Sequence, residues 1–464
     1  MAEPRIPNPA PYPAEPPSAW SPRPVPPPPP TGPPPRQGRD ATVAIVALAV
    51  AFAVLVAAGI GWVVVRSNDR EPQTVAAPET STSTSTSSTI APTTSTIVPT
   101  TPSSTAPPAS GPATTLEAAL PDLVAFVERE RGHRFRTRPV VDAIAPADFD
   151  AKLRADLVDE RASIAADQVT FQALGLIEPT TDLAAVYDSL LSASALGFYD
   201  PDTKELYVEG ETVTPLRRAV IVHELTHALD DQYFDLDRSQ ALDERPDESA
   251  FGFLSLIEGS ARRVENAYRE TLSVAERGEV SAEERQLAGA IDVLSLPISL
   301  IFLQQIPYLA GEALARRLVD QGGAARLDRA FRAPPETSEQ VIDATRYDSQ
   351  EPALPVSAPP ADGTVADRGA FGSVDLQATL LGSDVVGALE ALSDQSGWGG
   401  APTSPGGRPT AERARVRLVG DTAADTARFR NDLFAWVADH EAEVTEVVDP
   451  AVADRPVIEM NRCA

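Results

Sequence analysis

The 25 residues from Ala41 to Val65, ATVAIVALAVAFAVLVAAGIGWVVV, carry no charged side chain. As a helix rising about 1.5 Å per residue, this run reaches roughly 37 Å, enough to cross a hydrocarbon core of about 30 Å. A cleaved signal peptide has an apolar part of about 7–15 residues near the N-terminus. This run is longer and begins forty residues into the chain, so it reads as an uncleaved single anchor. The chain is thereby divided into a segment before the membrane and a segment after it.

Both flanks fit that division. Residues 1–40 hold much of the proline, as in PVPPPPPTGPPPRQGR, with no periodic apolar pattern. Such a segment lacks the apolar surface to offset its ordering entropy and reads as a disordered or polyproline II tail. Arg36 and Arg39 lie just before the apolar run, with Arg5 and Arg23 further back, and Arg66 and Arg70 follow it. That bias favours a cytoplasmic tail, which is a candidate docking segment for a cytoplasmic partner. Residues 66–115 include TSTSTSSTIAPTTSTIVPTTPSSTAPP. A Ser/Thr/Pro run of this kind is a solvated stalk that holds a domain outside the cell.

The remaining residues, 116–464, are long enough for one large domain or two parts, 116–245 and 246–464. A formal net charge of −28 excludes a general electrostatic attraction to nucleic acid. Cys463 is the only cysteine, so no disulfide forms within the chain. Helical periods predominate and strand patterns are few, which gives a mainly helical α+β expectation.

Within this region, Thr214-Pro215 supplies a helix cap followed by proline at the first helical position. A turn and short strand, DPDTKELYV, precede it. The helix expected over 215–232 contains VHELTH and is apolar on most of its surface, so it is central and buried. The chain has four histidines, and His223 and His227 stand one helical turn apart here. Their imidazoles can converge on one ion, with Glu224 beside them to take a proton from a water.

A catalytic zinc has three protein ligands and an open fourth position. His133 and His440 are distant in sequence, and His440 reads as a surface or structural residue. On a helix expected over 247–270, the stripe Phe251, Leu254, Ala261 and Tyr268 also carries Glu258 and Glu265. A carboxylate on an apolar face is costly unless paired or bound to metal. Glu258 is preferred as third ligand, because Gly259 beside it permits a close helix approach. Glu265 is the alternative, and pairing of either with Arg262 or Arg263 is the bland reading.

HELTH followed by IEGSA about thirty residues later resembles the gluzincin branch of zinc metallopeptidases. More closely, GFYDPDTKELYV, HELTHALDDQYFDL, LIEGSA and PPETSEQV together are similar to membrane-anchored bacterial members. The resemblance implies a zincin-like fold, Zn2+ on His223, His227 and Glu258, Glu224 as general base, and a peptide or protein substrate. It departs from thermolysin-like members where an Asp four residues after the Glu ligand steadies a zinc-bound His; Arg262 stands there, and Asp231, one turn past His227, is the candidate for that role, against an exposed charge near a helix end. The histidine that stabilises the oxyanion in those members has no counterpart here; Tyr308 is the candidate for that task, with Tyr233 and Tyr268 behind it, against an ordinary core tyrosine. Two rival functions are a noncatalytic stalked envelope-binding module on the same fold and a zinc hydrolase of non-peptide amides.

Further on, LPISLIFLQQIPYLAG is strongly apolar but interrupted by Pro297, Gln304, Gln305 and Pro307, with Asp292 just upstream, so it reads as buried helix and not a second span. SGWGG at 396–400 reads as a glycine turn. Residues 414–449 read as strand–helix–strand.

Overall fold

In the computed structural model the described residues are 115–159, 161–236, 247–289, 296–360, 369–381, 398–400, 413–438, 440–452 and 454–463. The proline-rich tail, the apolar run 41–65 and the stalk up to residue 114 lie outside them. Among the described residues the fold is mainly helical, with two small sheets.

The first sheet explains why the motif helix is buried. Strands β1 (Val140–Ile144), β2 (Gly197–Asp200) and β3 (Glu205–Glu209) lie in the order β1-β3-β2. β1 is parallel to β3 and β2 is antiparallel to it, with Tyr199 opposite Leu206. Their side chains alternate between two cores, as a period of two requires. Phe198 and Tyr207 face one way, onto Phe149 of α2 (Pro146–Asp159), Ile164 of α3 (Arg161–Leu174) and Leu183, Tyr187 and Leu190 of α4 (Leu183–Ser194). Tyr199, Leu206 and Val208 face the other way, onto α1 (Leu116–Arg131) and α5 (Pro215–Phe234).

α5 is the motif helix. Its Thr214 cap accepts a hydrogen bond from the Arg217 amide at 3.2 Å, and Pro215 takes the first helical position. Caps of this kind contribute ~1 kcal/mol. Leu216, Ile221, Val222, Leu225 and Leu229 have no exposed surface. α6 (Asp247–Thr271) packs along α5, and Val264, Tyr268 and Leu272 join the same core, so the two sides of 245/246 share one interior. α7 (Val274–Ala288) follows, opened by a reciprocal capping box between Ser273 and Glu276.

α8 (Ile298–Arg332) runs through Pro307 without ending, and its break falls at Gly322–Gly323, where the backbone leaves helical geometry. By length and composition α8 is apolar enough to cross a membrane, but half of its most apolar stretch is buried against protein. α6 and α8 cross at glycines. A Cβ on Gly259 would collide with the backbone of Gly311, and one on Gly311 with the Ser255 carbonyl. Only two glycines allow that approach.

Short helices α9 (Ser338–Ile342), α10 (Ala344–Ser349) and α11 (Ser373–Leu380) lead to the second sheet. It comprises β4 (Trp398–Gly400), β5 (Arg413–Gly420), β6 (Ala442–Val447) and β7 (Val457–Cys463), in the antiparallel order β4-β5-β7-β6. α12 (Ala423–Val437) supplies the helix between β5 and β6. Val416 and Leu418 point into the core, while Arg415 and Arg417 pair with the buried Glu459 on the opposite face of the sheet. The expected glycine turn at 396–400 is corrected: residues 398–400 form β4, because Trp398 and Gly400 align opposite Gly420 and Val419.

Candidate metal centre

His223 and His227 project from one face of α5, and their rings meet edge to face with centroids 4.6 Å apart. Across from them, α6 presents Glu258. Its Oε2 lies 3.3 Å from His223 Nε2 and 3.6 Å from His227 Nε2. One ligand atom from each of the three residues lies within 4.8 Å of the others, and all three are buried. This group could hold a metal ion. Tetrahedral bonds of about 2.0–2.1 Å put ligand atoms roughly 3.3–3.4 Å apart, close to both measured separations.

The unsatisfied atoms point the same way. His227 Nε2, Glu258 Oε1, Glu224 Oε1 and the Tyr308 hydroxyl are buried without a hydrogen-bond partner. Buried polar atoms are rarely left so, and a cluster of four marks a place for a charged or polar guest. At 3.6 Å the His227–Glu258 contact is too long to count as a hydrogen bond.

Electrostatics couple these groups. Burial alone would push the His223 pKa down, but hydrogen bonds to Glu258 and Glu265 and the charge of Glu224 outweigh it, raising it to about 10. Burial also works against an ionised Glu258, but His227 and His223 hold its pKa down at about 2. Burial dominates for Glu224, whose pKa is raised to about 7 against the pull of the two histidines.

Glu224 is held from the sheet side. Its Oε2 accepts the Tyr199 amide of β2 at 2.9 Å. The Tyr199 hydroxyl in turn donates to Asp231 at 2.6 Å, which also meets Lys204 at 2.9 Å and accepts the Leu236 amide at 2.8 Å. Asp231 therefore ties α5 to the β2–β3 hairpin; its carboxylate meets these three residues and not His227.

Glu265 sits where its heptad spacing from Glu258 puts it, two turns on along one face of α6. Its Oε2 lies 3.2 Å from His223 Nδ1, the nitrogen turned away from Glu258. Arg262 donates to both its oxygens at 2.9 Å, and Arg269 to Oε1 at 2.7 Å. Burial raises the Glu265 pKa, yet Arg262 and Arg269 hold it well below the usual carboxylate range. Glu265 is thus the residue that steadies a histidine here, and Arg262 serves it.

Tyr308, on α8, stacks across His223 with centroids 6.1 Å apart and planes 21° apart. Burial and the negative charges of Glu258 and Glu224 push its hydroxyl well above its ordinary pKa, so it stays a proton donor at neutral pH. The other candidates lie elsewhere. Tyr233 donates to the Arg134 carbonyl, and Tyr268 packs edge-on to Phe126 in the core. His133 meets Asp328 at 2.9 Å, and His440 bonds and stacks against Trp436. Tyr199 and Arg269 were missed in the sequence. Nothing local in GFYD shows that the Tyr199 amide meets Glu224.

No protein-family model, curated protein or solved structure matches the chain.

Proposed function

We propose that the chain is a membrane-tethered, extracytoplasmic zinc peptidase of gluzincin type, with a zincin-like domain after residue 115 carried by the anchor 41–65. The observation that carries this reading is Glu224 placed beside a His–His–Glu group, with one carboxylate oxygen fixed by a sheet amide and the other without a partner. A metal needed only for structure has no use for such a group.

His223, His227 and Glu258 would hold Zn2+, whose soft–borderline character suits two imidazoles and a carboxylate. When bound, zinc lowers the pKa of a water and polarises a carbonyl. Glu224 would take the water's proton on its unpartnered oxygen, Oε1, and return it to the leaving amine. Tyr308 donates to the developing oxyanion. Glu265 keeps the proton of His223 on Nδ1, leaving Nε2 to face the ion.

One observation favours a second reading, a noncatalytic metal module. His223, Glu224, His227, Glu258 and Tyr308 are each at most 2 % exposed. A catalytic site must open to admit a peptide; a structural one need not.

The test uses the full-length chain in detergent. Zinc is measured by elemental analysis, and a peptide library is incubated with wild type and Glu224→Gln. Equal stoichiometric zinc, with cleavage by wild type only, is the expected result. Equal zinc with no cleavage by either favours the noncatalytic module, and a zinc-free native protein sinks the metal reading.

A further inference from the structure

Arg131 closes α1, has no exposed surface, and takes no part in the chemistry above. A buried guanidinium is costly unless it is paired. Arg131 Nε donates to Asp230 Oδ1 at 2.6 Å, and Nη1 donates to Asp328 Oδ1 at 2.9 Å. Its charge also stands 5.4 Å from the Phe234 ring and 5.5 Å from the Phe331 ring. Asp230 then uses its second oxygen. Oδ2 accepts the Ser260 hydroxyl at 2.7 Å, and both residues are buried.

This chain of contacts runs from α1 to α5 to α6 without using any candidate metal ligand. It lands close to two of them in sequence. Asp230 is three residues after His227, and Ser260 is two after Glu258. Arg263, also on α6, adds a tie to α1 by donating to the Glu130 carbonyl at 3.0 Å. The other end of α1 is fixed as well. The Leu116 amide donates to the Glu211 carbonyl at 3.0 Å, and Thr115 bridges Thr212, just ahead of the Thr214 cap. α1 thus lies along α5 and is pinned near both of its ends.

We propose that Arg131, Asp230 and Ser260 form a clamp that sets the spacing of α5 and α6, and so the distance between the histidine pair and Glu258. They are positioning residues, and the proposal rests on the metal reading of His223, His227 and Glu258. Metal–ligand bonds tolerate about 0.2 Å of error, so a small shift between the two helices degrades the site while the fold survives. Removing the Ser260 hydroxyl cuts the tie to α6 and strands one oxygen of Asp230.

The test compares wild type, Ser260→Ala, Asp230→Asn and a core control, Leu433→Ala, all as full-length chain in detergent. Leu433 belongs to the core of the second sheet, separate from α5 and α6. Zinc affinity is read by competition with a chromophoric chelator, and the thermal midpoint is read on chelator-stripped protein. Ser260→Ala and Asp230→Asn are expected to bind zinc about tenfold or more weakly, while Leu433→Ala lowers the midpoint and keeps its affinity within about twofold. Wild-type affinity in both clamp variants overturns the clamp and leaves the metal reading standing. Weakening matched by Leu433→Ala at the same loss of midpoint also overturns it, as general destabilisation. A wild type that binds no zinc overturns the metal reading and the clamp with it.

Discussion

Nδ1 of His223 and Oε2 of Glu265 lie 3.2 Å apart, seven residues beyond Glu258 on the face of α6 that turns toward α5. The contact fixes which ring nitrogen is free to meet an ion, and two arginines keep the carboxylate charged for that task. Glu265→Gln keeps the shape and removes the charge. The expected outcome is zinc binding weakened about 10–100-fold with little change in fold, read by chelator competition and circular dichroism. Unchanged affinity would mean that Glu265 only neutralises Arg262 and Arg269.

On the proposed reading, Tyr308 would separate chemistry from metal binding. Its buried hydroxyl feels the carboxylates of Glu258 and Glu224, while its ring packs over His223. Tyr308→Phe preserves that packing and removes the proton donor. Loss of one oxyanion donor costs about 10²–10³ in kcat. The expected variant therefore binds zinc as wild type does and keeps its KM, with kcat lowered by about that factor. A fall in zinc content in place of kcat would show that the phenol serves the metal and not the reaction.

Much of this centre is legible from local pattern. Thr214-Pro215, the i, i+4 histidines and the Glu258/Glu265 stripe are all encoded within a single helix, and each appears where its spacing requires. Partner choice is less legible. Glu258 and Glu265 are equivalent on the stripe, and only the crossing angle of two helices decides which meets Nε2 and which meets Nδ1. The sequence offered Asp231 as an orienter of a histidine, but β2 places the Tyr199 hydroxyl within 2.6 Å of it. β2 itself was missed, since four residues give too short a period to distinguish from a turn. Pro307 breaks the apolar run but not the helix: α8 continues through it and breaks only at Gly322–Gly323, a position the sequence reading does not single out.

The glycine crossing gives a stability contrast. Alanine in a helix interior is favoured over glycine by ~0.5–1 kcal/mol. At Gly278 of α7 a Cβ meets nothing within 4 Å, so Gly278→Ala is expected to stabilise by about that amount. At Gly259 the Cβ runs into the Gly311 backbone, which cannot rotate away. Overpacking of that kind costs ~1–3 kcal/mol and outweighs the propensity gain. Gly259→Ala is expected to lower the urea midpoint and to weaken zinc binding, because α8 and Tyr308 must move off Glu258. Equal stability in the two variants would refute the close crossing.

On the proposed metal reading, proton and metal would compete for one nitrogen, and that competition would fix a pH signature. His223 carries its proton up to about pH 10 in the folded chain against 6.5 for the free side chain, and Glu224 up to about 7 against 4.5. Both folded values are raised, so the native state binds more protons than the unfolded one in each window. Stability is then fully present below the lower value and is lost as pH rises through the higher. Glu258 runs the other way: its folded value of about 2 gives stability present above 4.5 and lost as pH falls toward 2. The chelator-stripped chain is therefore expected to have its highest thermal midpoint near about pH 4.5–5, falling as pH rises toward 10. Zinc must displace the His223 proton, so its affinity climbs over the same range and the loaded protein loses the alkaline decline. Melting curves at several pH values, with and without chelator, read both effects. A stripped protein whose midpoint rises between about pH 6 and 9 would contradict a protonated His223 held between Glu258 and Glu265.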